Sequence, residues 1–93
     1  MITQEQVEVI KDITRRFNPT LIGIFGSYAR GEQKPNSDLD ILIDFQNRVN
    51  LLDIIALEEE LSRKLRMKVD LVTVKSLNHQ LKPYIENDLI RLN

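Results

Sequence analysis

The fold of this chain is decided by the stretch Gly26-Ser27-Tyr28-Ala29-Arg30-Gly31, continued after a short loop by Ser37-Asp38-Leu39-Asp40. An apolar run, Leu-Ile-Gly-Ile-Phe at 21–25, leads into the first segment, and a second apolar run at 39–45 carries the last aspartate. This pattern predicts strand, turn, strand, with polar side chains gathered where both strands meet the turn.

Two carboxylates stand at the start of the second run. Because side chains alternate along a strand, Asp38 and Asp40 are expected on one face, with Cα atoms about 6.6 Å apart. Carboxylates that close repel each other, and a divalent cation such as Mg²⁺, which binds carboxylates and substrate phosphates, removes that repulsion. The spacing therefore indicates a metal site.

A third aspartate interrupts a later apolar run. Asp70 lies within 69–74, although aspartate is depleted in strands and is seldom buried unpaired. We therefore add Asp70 to the predicted metal and catalytic set. Asp44 has the strand parity of Asp40, but it lies about 13 Å farther along the strand and is excluded.

The turn itself is a candidate phosphate site. Backbone N–H groups and the Ser27 hydroxyl could hold nucleotide phosphates, and Gly26 would let a phosphate approach the backbone closely. Arg30 could neutralise phosphate charge or pair with an acidic side chain. Ser37 is a further phosphate-binding candidate, although Ser-Asp is also common turn chemistry.

The two segments together closely resemble the signature of the minimal nucleotidyltransferase (MNT) family of the polymerase-β-like superfamily. The resemblance implies a two-metal Mg²⁺ site at Asp38, Asp40 and Asp70, with ATP as the nucleotide substrate. It also implies a HEPN-type toxin as partner, a tyrosine hydroxyl as acceptor of AMP, and an antitoxin role in a toxin–antitoxin pair. Two alternatives stay open: a non-catalytic antitoxin of the same fold, and transfer to a small molecule or RNA.

Composition sets the outer limits. The chain has 93 residues, 42% of them hydrophobic, a net charge of −1 and no cysteine. We expect one domain over 1–93 with a true core, the minimal nucleotidyltransferase catalytic domain. The charge gives no field that attracts nucleic acid, and the N-terminus lacks an apolar stretch of signal-peptide length. A cytoplasmic location without membrane contact is expected, and a small domain with an open site could form a homo-oligomer.

The fold class predicted is α/β (α+β), a nucleotidyltransferase-type mixed β-sheet with helices packed mainly on one face. Helical periodicity predicts helices over 3–17 and 51–65, with Thr3 and Gln6 as a capping box and Asn50 as a cap. The remaining predicted elements are strands over 21–25, 39–45 and 69–74, a partly helical segment over 77–88, and a short strand over 89–92.

Overall fold

A computed structural model describes residues 2–93, and its elements follow the predicted order. The helices are α1 (Gln4–Thr14), α2 (Ser27–Arg30), α3 (Leu51–Leu65) and α4 (Lys82–Asp88), with 3₁₀ turns at Arg15–Phe17 and Val74–Ser76. The strands are β1 (Pro19–Phe25), β2 (Leu39–Phe45), β3 (Val69–Thr73) and β4 (Ile90–Arg91).

The strands form one mixed sheet in the order β3-β2-β1-β4. Strand β1 is antiparallel to both β2 and β4, whereas β2 and β3 run parallel, with α3 as their crossover. In this register Phe25 faces Asp40, and Asp40 faces Asp70. The mixed sheet that the sequence predicts is confirmed.

The caps act as the sequence indicates. The Thr3 side chain accepts a hydrogen bond from the Gln6 N–H, and the Gln6 side chain accepts one from the Thr3 N–H, which completes the capping box. The Asn50 side chain accepts from the Asp53 N–H at 2.8 Å and starts α3. Helix α3 therefore has the predicted bounds.

The two faces of the sheet differ in what covers them. One face packs against α1 and α3, and its buried cluster includes Ile10, Ile22, Ile24, Leu39, Ile41, Ile43, Leu57, Leu61, Val69 and Leu71. Alternation along the strands puts Asp40 and Asp70 on the opposite face, where the end of α4 also lies, because Leu89 packs on Gly23. The main helices cover one face, and the predicted carboxylates lie on the other.

Several element boundaries differ from the predicted ones. Helix α1 tightens into the 3₁₀ turn before Asn18, which ends it in the left-handed conformation with φ 50°. Helix α4 begins only at Lys82, and Pro83 lies in its first turn, where a missing N–H costs nothing. Within residues 2–93, no helix is long and apolar enough to cross a membrane.

Candidate active site

Gly26 joins β1 to α2 in a conformation that suits only glycine. Its φ is 74° and its ψ is −151°, a region that side-chain-bearing residues rarely enter. A Cβ at this position would collide with Oδ2 of Asp40 and would lie 3.2 Å from its Cγ. The turn therefore lies directly against the Asp40 carboxylate, which places the two predicted halves of the site together.

Some backbone N–H groups of this turn donate hydrogen bonds within the short helix α2. The Ala29 and Arg30 N–H groups both donate to the Gly26 carbonyl at 3.1 Å. The N–H groups of Ser27 and Tyr28 lie in the first turn of α2. No preceding carbonyl of the helix is available there to accept their hydrogen bonds. Any phosphate at this turn would be bound by these two groups and the Ser27 hydroxyl. The Tyr28 ring packs against the core cluster.

The three aspartates approach one another around the start of β2 and β3. Asp40 and Asp70 are paired across the parallel strands, and Asp38 immediately precedes β2. Asp40 is partly buried, whereas Asp70 is exposed. Burial raises the pKa of Asp40, and the negative charges of Asp70 and Asp38 raise it further, while the Arg30 charge opposes the rise. The ionised form of Asp40 is thus disfavoured by its surroundings.

The exposure of Asp70 differs from the burial expected of an aspartate inside an apolar strand. Strand β3 is an edge strand, and Asp70 is exposed because it lies on the face that α1 and α3 do not cover. Asp38 also turns partly outward, and Lys68 Nζ lies 3.7 Å from its Oδ2. Only Asp40 carries the burial cost that the sequence predicts for these residues.

The carboxylates do not form a preformed metal cage. In the part of the chain described, residues 2–93, no group of three or more His, Asp or Glu side chains is arranged to hold a metal ion. The donor set nevertheless fits Mg²⁺, which binds through one or two carboxylates and completes its shell with water and substrate phosphate. The metal role of Asp38, Asp40 and Asp70 stays a prediction, with Asp40 and Asp70 as the best-placed pair.

The other two predicted phosphate ligands are engaged within the protein. Arg30 Nε lies 2.6 Å from Glu32 Oε1 and Arg30 Nη1 lies 2.8 Å from Asp88 Oδ2, and these two carboxylates raise the pKa of the guanidinium. The Ser37 hydroxyl accepts a hydrogen bond from the Lys34 N–H at 2.8 Å and closes the loop before β2. Arg30 thus forms an ion pair and Ser37 forms a turn contact, which are the alternatives to phosphate binding given above for these two residues.

Asp88 is the residue near this site that sequence reasoning missed. It lies 58 positions after Arg30, at the end of a short helix. The one available signal was a carboxylate at a helix C-terminus, where the helix dipole disfavours negative charge.

A cavity of about 510 Å³ lies at the far end of β2 and β3, away from Asp40 and Asp70. Its lining includes Asp44, Phe45, Leu51 and Lys75, and no predicted site residue. Volume alone therefore does not identify the site. The Gly26 turn and the paired aspartates Asp40 and Asp70 meet elsewhere on the sheet.

A mixed sheet with a glycine turn set against strand-borne carboxylates defines the class of nucleotidyl-transferring domains. Comparison with known proteins agrees, since a family profile for the nucleotidyltransferase domain matches residues 7–92. Protein adenylyltransferase MntA of Thermococcus cleftensis is 48% identical over 82 residues, which cover 83% of each chain. This chain belongs to the nucleotidyltransferase domain family, and the predicted enzyme class is confirmed.

Solved structures give the same fold. A toxin–antitoxin complex crystallised with AMP-PNP contains a chain of TM-score 0.84 and 27% identity, with coverage of 98% of this chain and 73% of that one. A complex of tri-AMPylated Shewanella oneidensis HEPN toxin with MNT antitoxin contains a chain of TM-score 0.80, with coverage of 99% and 72%. Its identity is 23%, so this second likeness bears on the fold alone. The resemblance to the minimal nucleotidyltransferase family is confirmed.

Proposed function

We propose that this protein transfers AMP from ATP to a hydroxyl group of a partner protein in a Mg²⁺-dependent reaction. One observation carries the proposal: Gly26 brings a turn with free N–H groups against Asp40, which is paired across the sheet with Asp70. A phosphate site and two hard oxygen ligands thus lie side by side, as nucleotidyl transfer requires.

Each group has a defined task in this reaction. The N–H groups of Ser27 and Tyr28 hold the triphosphate, and Asp38, Asp40 and Asp70 provide the oxygen ligands for magnesium. Bound magnesium would supply charge neutralisation for the triphosphate and the leaving pyrophosphate. The acceptor oxygen bonds to the α-phosphorus, and the bond from that phosphorus to the bridging oxygen of the β-phosphate breaks. Asp70 takes the proton from the acceptor hydroxyl, because its exposed carboxylate can be reached by an acceptor arriving from solvent.

The acceptor is proposed to be a protein for two reasons. The 48% identical relative from Thermococcus cleftensis is a protein adenylyltransferase, and the 27% identical structure with AMP-PNP belongs to a toxin–antitoxin complex. We therefore place this chain as the antitoxin of a pair whose toxin, of the HEPN type, receives AMP. The exposed face around Asp70 leaves room for a folded partner to present its hydroxyl.

Transfer of label from ATP tests this function. The purified protein is incubated with Mg²⁺, the candidate toxin and ATP labelled either at the α- or at the γ-phosphate. Adenylyl transfer predicts a toxin labelled only by α-labelled ATP, with an added AMP mass on a tyrosine, and no label with the Asp40→Asn variant. Label on an aminoglycoside or on RNA would favour the small-molecule or RNA alternative. Complete absence of label, with the toxin still neutralised, would favour a non-catalytic antitoxin.

A further inference from the structure

Arg30 links the phosphate turn to the C-terminal end of the chain. The guanidinium contacts two carboxylates, those of Glu32 and Asp88. The two differ in environment, because the Glu32 side chain is 64% exposed and the Asp88 side chain is 25% exposed. A charge-assisted hydrogen bond to the more buried carboxylate is less screened by solvent and holds its partner more firmly.

The position of Asp88 is unfavourable for its own helix. It is the last residue of α4, where the partial negative charge of the helix terminus repels a carboxylate. The contact with Arg30 offsets that repulsion. Helix formation therefore gives no reason for an aspartate here, whereas the ion pair does.

The backbone at Asp88 is held in place by the sheet. The next residue, Leu89, fills the space above Gly23, where an added Cβ would lie 2.9 Å from the Leu89 Cγ. After it, Ile90 pairs with Ile24 in β4. Asp88 is thus attached to the face of the sheet that carries Asp40, and the long Arg30 side chain is the adjustable member of the pair.

We propose that Asp88 is a positioning residue that holds the Arg30 guanidinium beside the Gly26–Ser27 turn, ready to contact the triphosphate. The inference rests on the proposed function, since it assigns Arg30 a nucleotide to bind. An arginine has five N–H donors, and the contacts to Glu32 and Asp88 use Nε and Nη1, so the Nη2 donors remain for a phosphate. Orientation before binding lowers the entropy cost of fixing a long side chain when the nucleotide arrives.

Calorimetric titration of the intact protein with Mg²⁺-ATP tests the role. Asp88→Asn keeps the shape and removes the charge, and we expect ATP affinity to fall about threefold to tenfold, the effect of weakening one charge-assisted contact. The matched control is Glu32→Gln, which removes the exposed carboxylate from the same guanidinium. We expect it to change affinity by about twofold or less, as is usual for solvent-exposed ion pairs.

A charge exchange separates positioning from simple attachment of α4. In the double variant Arg30→Asp with Asp88→Arg, the attraction between turn and helix is rebuilt, but the cation now belongs to α4. We expect the melting temperature to return towards that of the parent, while ATP affinity stays reduced. If Asp88→Asn alone does not fold, this double variant still tests whether Asp88 positions Arg30.

Two results would overturn the inference: unchanged ATP affinity in Asp88→Asn, or recovery of both affinity and melting temperature in the exchanged variant. If the parent itself fails to bind Mg²⁺-ATP, the proposed function is wrong, and the positioning role is wrong with it. Binding by the parent together with equal binding by Asp88→Asn would overturn the positioning role alone.

Discussion

Gly26→Ala should separate the two structural reasons for a glycine at the Gly26–Ser27 turn. The first reason is the backbone, whose φ of 74° and ψ of −151° are poorly accessible to alanine. The second is space, because the new Cβ would meet the Asp40 carboxylate. Since that carboxylate is the end of a side chain, it can rotate away, and the rotation removes it from the site.

The two effects can be given magnitudes. A non-glycine residue in this backbone region costs on the order of 1–3 kcal/mol, and turning the Asp40 side chain off its preferred rotamer costs about 0.5–1.5 kcal/mol. Alanine also stiffens the unfolded chain, which returns about 0.4–1 kcal/mol. Gly26→Ala should therefore lower the free energy of unfolding by about 0.5–4 kcal/mol, centred at about 2 kcal/mol.

Gly31→Ala is the matched control, since Gly31 caps the other end of the same short helix α2. Its φ of 71° and ψ of 24° are left-handed helical, and an added Cβ meets nothing within 4 Å. We expect a loss of about 1 kcal/mol from the backbone alone. Urea unfolding of the metal-free proteins measures both values. Mg²⁺-ATP binding should fall at least about tenfold in Gly26→Ala, the loss of one well-placed contact, and persist in Gly31→Ala.

A double-mutant cycle isolates the contact with Asp40. Asp40→Ala removes the carboxylate and leaves the Asp40 Cβ 3.5 Å from the new Cβ, an ordinary contact. In that background, the cost of Gly26→Ala should shrink by about 1 kcal/mol. Equal costs at Gly26 and Gly31, together with no coupling to Asp40, would refute the assignment of Gly26 as the residue that joins turn and carboxylate.

Three further outcomes follow from the charges at the site. Because burial and neighbouring charges raise the pKa of Asp40 above its ordinary value of 3.8, its contribution to stability is greatest below that value and is lost as pH rises through the raised pKa. Asp40→Asn should therefore be more stable than the parent at neutral pH. Urea unfolding at a series of pH values should show the difference in unfolding free energy growing as pH rises through the raised pKa and then staying constant. Asp70→Asn, at an exposed position, should leave the free energy of unfolding within about 0.5 kcal/mol and abolish label transfer, and a fully active variant would remove Asp70 from the catalytic set. In thermal melts, Mg²⁺-ATP should raise the melting temperature of the parent and raise that of Asp70→Asn much less.

Local sequence signals predict the elements that local interactions determine. Helix α3 has the predicted bounds because Asn50 caps its start and its apolar spacing continues to Leu65. Strand β2 likewise matches, since its mainly apolar run from Leu39 ends at Phe45, before the polar residues 46–48. Element ends that depend on a pairing partner are less predictable. Strand β4 has only two residues because its ladder with β1 covers only Gly23 and Ile24.

In the candidate site too, local sequence signals predict some features, whereas others depend on tertiary structure. Strand parity predicts that Asp38 and Asp40 share a face, and the apolar run before the turn predicts where Gly26 lies. The pairing of Asp40 with Asp70 depends on the parallel register of β2 and β3, which tertiary structure sets. The exposure of Asp70 depends on which face of the sheet α1 and α3 cover, and the contact of Asp88 with Arg30 depends on how α4 returns to the sheet.

The ion pairs around the site leave the two aspartates at its centre without an ion-pair partner among residues 2–93. Among residues 2–93, salt bridges bind Asp38 to Lys68 and Arg30 to Glu32 and Asp88, and none includes Asp40 or Asp70. A fold selected for stability alone would neutralise Asp40 or replace it, because its ionised form is opposed by burial and by two neighbouring carboxylates. The retained charge is explained if a cation completes the site during the reaction. Asp40→Asn, which should stabilise the isolated domain at neutral pH, should then also eliminate transfer.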